Sequence, residues 1–429
     1  MPIANVGTSA PTVGTGPGKY KLALAVVTTL FFMWGFVTVL NDVLVPHLKS
    51  IFDLNYFKSM LIQFSFFSAY FIFSIPSSRM IDWIGYKRSM VVGIVVMGLG
   101  ALLFIPSASV PSYPLFLAAF MVLAAGITLL QVAANPYVAV LGPPQTASSR
   151  LNLSQAFNSL GTTIGPALGG YLILNAAPKS MEVVRQMSAE ARRAYQIEVA
   201  SSVKMPYLII GLALMALAVV IGLFNLPPMP QAERHGAHGE KTSLWHYRNL
   251  ILGTVAIFVY VGAEVSIGSF LINYLSQSYI GNISQLEAAR YVSYYWGGAM
   301  VGRFVGSAIL QKVRTGTVLG IAAIVACLLV CTSMLTFGHV AMWSIILVGL
   351  FNSIMFPSIF TLGIAGLGPL TGDGSGLLIM AIVGGALIPL AQGALADRIG
   401  IHHAFFLPAI CYLYIVFYAL KGSKPVVTG

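Results

Sequence analysis

Two carboxylates stand inside long apolar runs of this chain: Asp42, in "VLNDVLVP", and Glu264, in "YVGAEVSIG". An ionisable group held in hydrocarbon costs about 2.5–3.5 kcal/mol by insertion scales, so it needs a partner or a task. The chemistry available is exchange of a proton, or coordination of a hard cation by oxygen. Amides form a second set. Gln131 and Asn135 lie one turn apart in "LLQVAANPY", Gln155 and Asn158 share "RLNLSQAFNSLG", and Asn352 stands in "FNSIMFP". An isolated amide in a membrane helix is ordinary interhelical glue, at ~0.6 kcal/mol on average. Amides on several helices together point instead to a polar lining. Each amide both donates and accepts, as sugar hydroxyls do. Trp296, with Trp34, Tyr294 and Tyr295, offers ring faces, although aromatic residues in helices more often only pack.

These groups need scaffolding that crosses a membrane. Of the 429 residues, 57% are hydrophobic and 8% charged, and the mean hydropathy is +0.85. The formal charge of +11 does not indicate nucleic acid, because Lys and Arg punctuate apolar runs instead of gathering on one face. Runs long enough to cross about 30 Å of hydrocarbon predict helices 1 to 12 at about 22–48, 57–79, 89–107, 113–141, 149–174, 205–226, 249–276, 288–311, 316–337, 340–366, 374–395 and 402–420. The reading is an all-α membrane protein of two six-helix bundles, residues 21–226 and 249–421. A polar linker, 227–248, joins them, with tails at 1–20 and 422–429. His235 and His238 in the linker read as a solvated pair sooner than as metal ligands. Residues 1–18 lack the pattern of a cleavable signal. The distribution of Lys and Arg puts both termini inside.

The halves repeat. An offset of 221 aligns Gln131 with Asn352 and Pro136 with Pro357; an offset of 223 brings Gly161, Pro166 and Gly170 onto Gly384, Pro389 and Gly393. Duplicated halves are the mark of secondary transporters, with the ligand site near the bilayer midplane between them. Pro136 and Pro357 each remove a backbone donor in mid-helix and permit a kink. Asp42 follows Thr38 and Asn41 on one face, and Glu264 follows Tyr260 by one turn. Arg303, in "GRFVGSAIL", is equally a candidate for a gating bridge or an anchor. Cys327, Cys331 and Cys411 read as small buried hydrophobes. No His, Cys or paired-carboxylate set lies at catalytic spacing, so no enzyme, cofactor or firm metal site is expected.

The loop "SSRMIDWIGYKR" resembles the signature between helices 2 and 3 of the major facilitator superfamily, with Asp82, Gly85, Lys87 and Arg88 in register and Ser78 and Trp83 departing from it. "LNDVLVPHLK", "QVAANPYVAVLG", "RLNLSQAFNSLGTTIGP", "YVGAEVSIGSFLINYL" and "FNSIMFPSIFTLG" are similar to the fucose:proton symporter family, within it to the glucose/galactose transporter branch. The resemblance implies alternating access and uptake of a monosaccharide with a cation. It gives the helix 1 carboxylate, Asp42, the coupling role, and the loop motif the role of an inner-gate latch. Where the fucose transporters carry a cavity Glu on helix 4 this chain has Gln131, and where they carry Gln on helix 7 it has Glu264. Gln131 is able to hold a hydroxyl but not a proton. Either Glu264 takes the second acidic role, or Asp42 with Asn41 holds Na⁺; protons are slightly favoured.

The expected protein is therefore a monomeric, cation-coupled symporter of a bacterial inner membrane, contacting monosaccharide and lipid. Sugar is expected at Gln131, Asn135, Gln155, Asn158, Glu264, Asn352 and Trp296, and the ion at Asp42, Asn41 and Glu264. The rivals are an exporter of drugs or other small molecules, and a non-transporting sugar sensor.

Overall fold

The computed structural model describes residues 17–52, 56–110, 112–173, 186–229 and 243–424. Helix 1 is Pro17–Phe52. Tyr56–Ser109 holds the next two helices, separated at Gly85, whose φ of 78° and ψ of 167° are non-helical. A left-handed φ suits glycine, so the signature loop turns the chain back at that residue. Helix 4 is Tyr113–Val140, helix 5 Ala147–Ile173, helix 6 Lys204–Leu223, helix 7 Arg248–Leu275, helix 8 Gln285–Ile309 and helix 9 Thr315–Leu335. The last three crossings are interrupted. Helix 10 is Gly338–Asn352 and Met355–Gly363, helix 11 is Thr371–Met380 and Gly384–Ile399, and helix 12 is Ile401–Ala404 and Phe406–Phe417. The expected helices are present with their bounds moved by a few residues. A short further helix, Ala189–Ser201, precedes helix 6 and is capped by the Ser188 side chain, which accepts from the Ala191 amide. The linker histidines, His235 and His238, lie outside the described residues.

Nine apolar runs among the described residues are long enough to cross a membrane, and one of them, Phe64–Ser109, spans 46 residues and holds helices 2 and 3. Helices 5 and 8 are absent from that set. They are the crossings that carry Asn152, Gln155 and Asn158, and Glu287, Arg290 and Arg303.

The sequence repeat has a structural counterpart. A Cβ at Gly161 in helix 5 would lie 2.3 Å from the Phe32 carbonyl oxygen of helix 1, and one at Gly384 in helix 11 would lie 2.0 Å from the Phe258 carbonyl oxygen of helix 7. Each glycine permits a backbone-to-backbone approach of the kind that small residues allow in membranes. Gly384→Ala is expected to destabilise the protein by about 1–3 kcal/mol, because the obstructing atom is backbone and cannot rotate away. A lowered midpoint in a thermal unfolding series of the purified protein checks this.

The ends of helices 4 and 10 are also capped in parallel. Arg150 donates to the carbonyls of Val138, Ala139 and Pro143, while Asn249 donates to those of Leu362, Gly363 and Ala365. Free C-terminal carbonyls of a helix need such donors.

Candidate functional site

Helices 4 and 5 form one wall. Gln131 retains 7% exposure, and its Nε2 donates to the Tyr70 hydroxyl of helix 2 at 2.9 Å. Gln155, also 7% exposed, finds no partner for its side-chain amide among the described residues, so both its polar ends remain available. Half-buried Asn158 donates from Nδ2 to the Phe31 carbonyl of helix 1 at 3.0 Å, leaving its Oδ1 free to accept.

Helices 7, 8, 10 and 12 form the other wall through one connected network. The Asn352 Nδ2 donates to the Tyr295 hydroxyl at 2.9 Å, and its Oδ1 accepts from the Tyr412 hydroxyl at 2.7 Å. The Tyr260 hydroxyl lies 2.8 Å from Glu264 Oε1 and 3.0 Å from the Asn352 carbonyl oxygen. A tyrosine hydroxyl holds a single proton. Both contacts are therefore full hydrogen bonds at once only when the Glu264 carboxyl is protonated and donates to Tyr260, which then donates to Asn352.

Arg303 joins the walls. From helix 8 its Nη1 donates to the Ser159 hydroxyl and, at 3.5 Å, to the Gln155 carbonyl, both on helix 5.

Two of the expected ligand residues are fully covered in this conformation. Asn135 and Asn352 are both 0% exposed. Asn352 has each amide end engaged by a tyrosine. Asn135 sits with both amide atoms buried and without a hydrogen-bond partner among the described residues. Trp296 is 41% exposed and set edge-on to Tyr295. The side chains of Asn41 and Asp42 lie outside the described residues. Tyr70 and Tyr412 escaped the sequence reading. Their one signal was a phenol in an apolar helix, which needs a partner for its hydroxyl when buried.

Of the loop motif, Lys87 donates to the Gly222 carbonyl at the end of helix 6 at 2.8 Å, while Asp82 and Arg88 are exposed. A Cβ at Gly372, at the start of helix 11, would lie 3.6 Å from the Tyr86 hydroxyl. The loop thus reaches the opposite half.

Among the described residues, the hydrogen bonds between halves gather toward the end where helix 5 begins and helix 10 finishes. Ser148 meets Thr361 at 2.6 Å and Thr315 at 2.9 Å, Ser149 donates to the Ser307 carbonyl at 2.7 Å, and Asn152 donates to the Arg303 carbonyl at 2.7 Å. That end of the molecule is closed.

Twelve crossings in two matching halves, with polar side chains facing between them and one end sealed, define a multi-pass membrane transporter. The chain belongs to the Major Facilitator Superfamily, whose model matches residues 22–382. It is 53% identical over 406 residues to the glucose/galactose transporter of Brucella abortus, covering 95% of each chain. To the L-fucose-proton symporter of Escherichia coli it is 35% identical over 418 residues, covering 95% of this chain and 94% of that one. The crystal structure of the Major Facilitator Superfamily transporter FucP in the outward conformation matches at a TM-score of 0.88 and 34% identity, over 95% of this chain and all of that one.

Proposed function

We propose that this protein is a cation-coupled monosaccharide symporter that takes up glucose- or galactose-type sugars by alternating access. The observation that carries the reading is the likeness along 95% of the chain to a protein named glucose/galactose transporter, joined to amides on helices 4 and 5 suited to hydroxyl groups. In this reading the sugar lies between the walls, held by Gln131, Gln155 and Asn158 on one side and by Glu264 and Trp296 on the other. The halves are residues 21–226 and 249–421, working as a monomer.

The coupling ion is the proton. The likeness to an L-fucose-proton symporter supports it, as does the Glu264–Tyr260–Asn352 arrangement, which gives the chain a protonatable group opposite the non-ionisable Gln131. Asp42, with Asn41 beside it, is the second ion site, assigned from the sequence and the family pattern. The protein sits in the bacterial plasma membrane with both termini in the cytoplasm. The sealed end is then the cytoplasmic one, and the conformation is outward-facing.

Binding of glucose and galactose to purified protein, followed by ligand-induced thermal shift with lipophilic cations as the control, tests the substrate class. Stabilisation by sugars alone supports the reading, and stabilisation by the cations alone overturns it. Gln155→Ala is expected to weaken sugar binding roughly tenfold, the scale of one or two lost hydrogen bonds, with little change in the unfolding midpoint of the sugar-free protein.

A further inference from the structure

Proline lacks a backbone N–H, so Pro136 leaves the carbonyl four residues earlier, that of Val132, without its helical donor, and Pro357 does the same to Ser353. Val132 and Ser353 are related by the same offset of 221 as the prolines themselves. Neither carbonyl is idle. The Ser375 hydroxyl of helix 11 donates to the Val132 oxygen at 2.8 Å, from the opposite half of the molecule. Arg303 donates from Nε to the Ser353 oxygen at 3.3 Å, while its Nη1 crosses to Ser159 and Gln155 on helix 5. The first bond ties helix 11 to helix 4 across the halves; the second ties helix 8 to helix 10 within one half and fixes the guanidinium whose Nη1 crosses to helix 5. Ser375 is fully buried and Arg303 half-buried, which keeps water from competing for these acceptors.

We propose that the two proline-freed carbonyls serve a paired latch, Val132 by accepting from the opposing half and Ser353 by holding the arginine that reaches across to it. In it Ser375 and Arg303 are positioning residues that set the balance between the state closed at this end and the state open there. The prolines then do more than bend the helices: Pro136 exposes an acceptor that the opposing half engages when the gate is shut, and Pro357 exposes one that orients Arg303 toward helix 5. The inference goes beyond the nature of the sugar and needs none for its test. A helical N–H restored at position 136 would compete with Ser375 for the Val132 oxygen, so the proline belongs to the latch as much as the serine does.

The test is a distance measurement between spin labels at Gln145→Cys and Gln311→Cys, two exposed positions at the closed end on opposite halves, in full-length protein with Cys331→Ala. Ser375→Ala is expected to raise the open-to-closed ratio about fivefold, as for one neutral hydrogen bond, and Arg303→Gln about tenfold or more, as for a charged donor. The double variant is expected to approach the product of the two, since the sites share no partner. Pro136→Ala is expected to move the same way as Ser375→Ala, although proline removal on its own steadies a helix. Arg303→Lys, which keeps the charge but not the fork, is expected to recover part of the closed population. Distance distributions unchanged in the folded double variant would overturn the proposal. So would a Pro136→Ala protein that stays as closed as the parent.

Discussion

Asp42→Asn is expected to abolish accumulation of sugar while leaving sugar-for-sugar exchange intact. Asparagine preserves the size and hydrogen bonding of the side chain but cannot take or release a proton. A cation gradient performs work only when ion and sugar favour the same conformational states, because a ligand that binds both states equally shifts nothing. With the helix 1 carboxylate gone, loaded carrier still crosses between states and exchange continues. Sugar then equilibrates across the membrane and is not concentrated. The check is parallel measurement of gradient-driven uptake and counterflow in proteoliposomes. Undiminished accumulation by Asp42→Asn removes this residue from the coupling site.

The second large effect is expected at Glu264. The Tyr260 hydroxyl lies between the Glu264 carboxyl oxygen at 2.8 Å and the Asn352 carbonyl oxygen at 3.0 Å. Glutamine at position 264 supplies an N–H where the protonated acid supplies an O–H, so Glu264→Gln imitates the protonated form permanently. Exchange by the unmodified protein should fall as rising pH strips that proton, because the ionised carboxylate loses its donation to Tyr260. Exchange by Glu264→Gln should stay level across the same range. Accumulation by the variant should fall by more than about tenfold, the equivalent of losing one interaction of about 1.4 kcal/mol between states. A variant that accumulates normally and keeps the parent's pH profile would mean that Glu264 is only a structural acid.

Much of this was legible in the residues. The twelve crossings follow from apolar run length, and the duplication from Gln131, Pro136 and Gly161 reappearing as Asn352, Pro357 and Gly384. The carboxylates stood out because so few charges interrupt the apolar runs. What the residues left hidden concerns direction and partnership. Asn135 and Gln131 are one turn apart on helix 4, yet Asn135 is wholly buried and Gln131 is not; a small difference in helix rotation decides this, and spacing does not encode it. The engagement of Asn352 by Tyr295 and Tyr412 was hidden because those partners are 57 and 60 residues away. Arg303 left two roles open, anchor or gate, because its partners on helix 5 come close only when the two halves meet. Helix 10 was expected as one span, and Pro357 together with the turn at Ser353 and Ile354 divides it.

The central claim is uphill sugar movement driven by a proton gradient, and uptake of radiolabelled glucose and galactose into proteoliposomes tests it most directly, with proton and sodium gradients imposed separately. We predict concentrative uptake under an inward proton gradient without sodium, collapsed by a protonophore. Uptake that never exceeds equilibration under the proton gradient, whether or not sodium drives it, would contradict this.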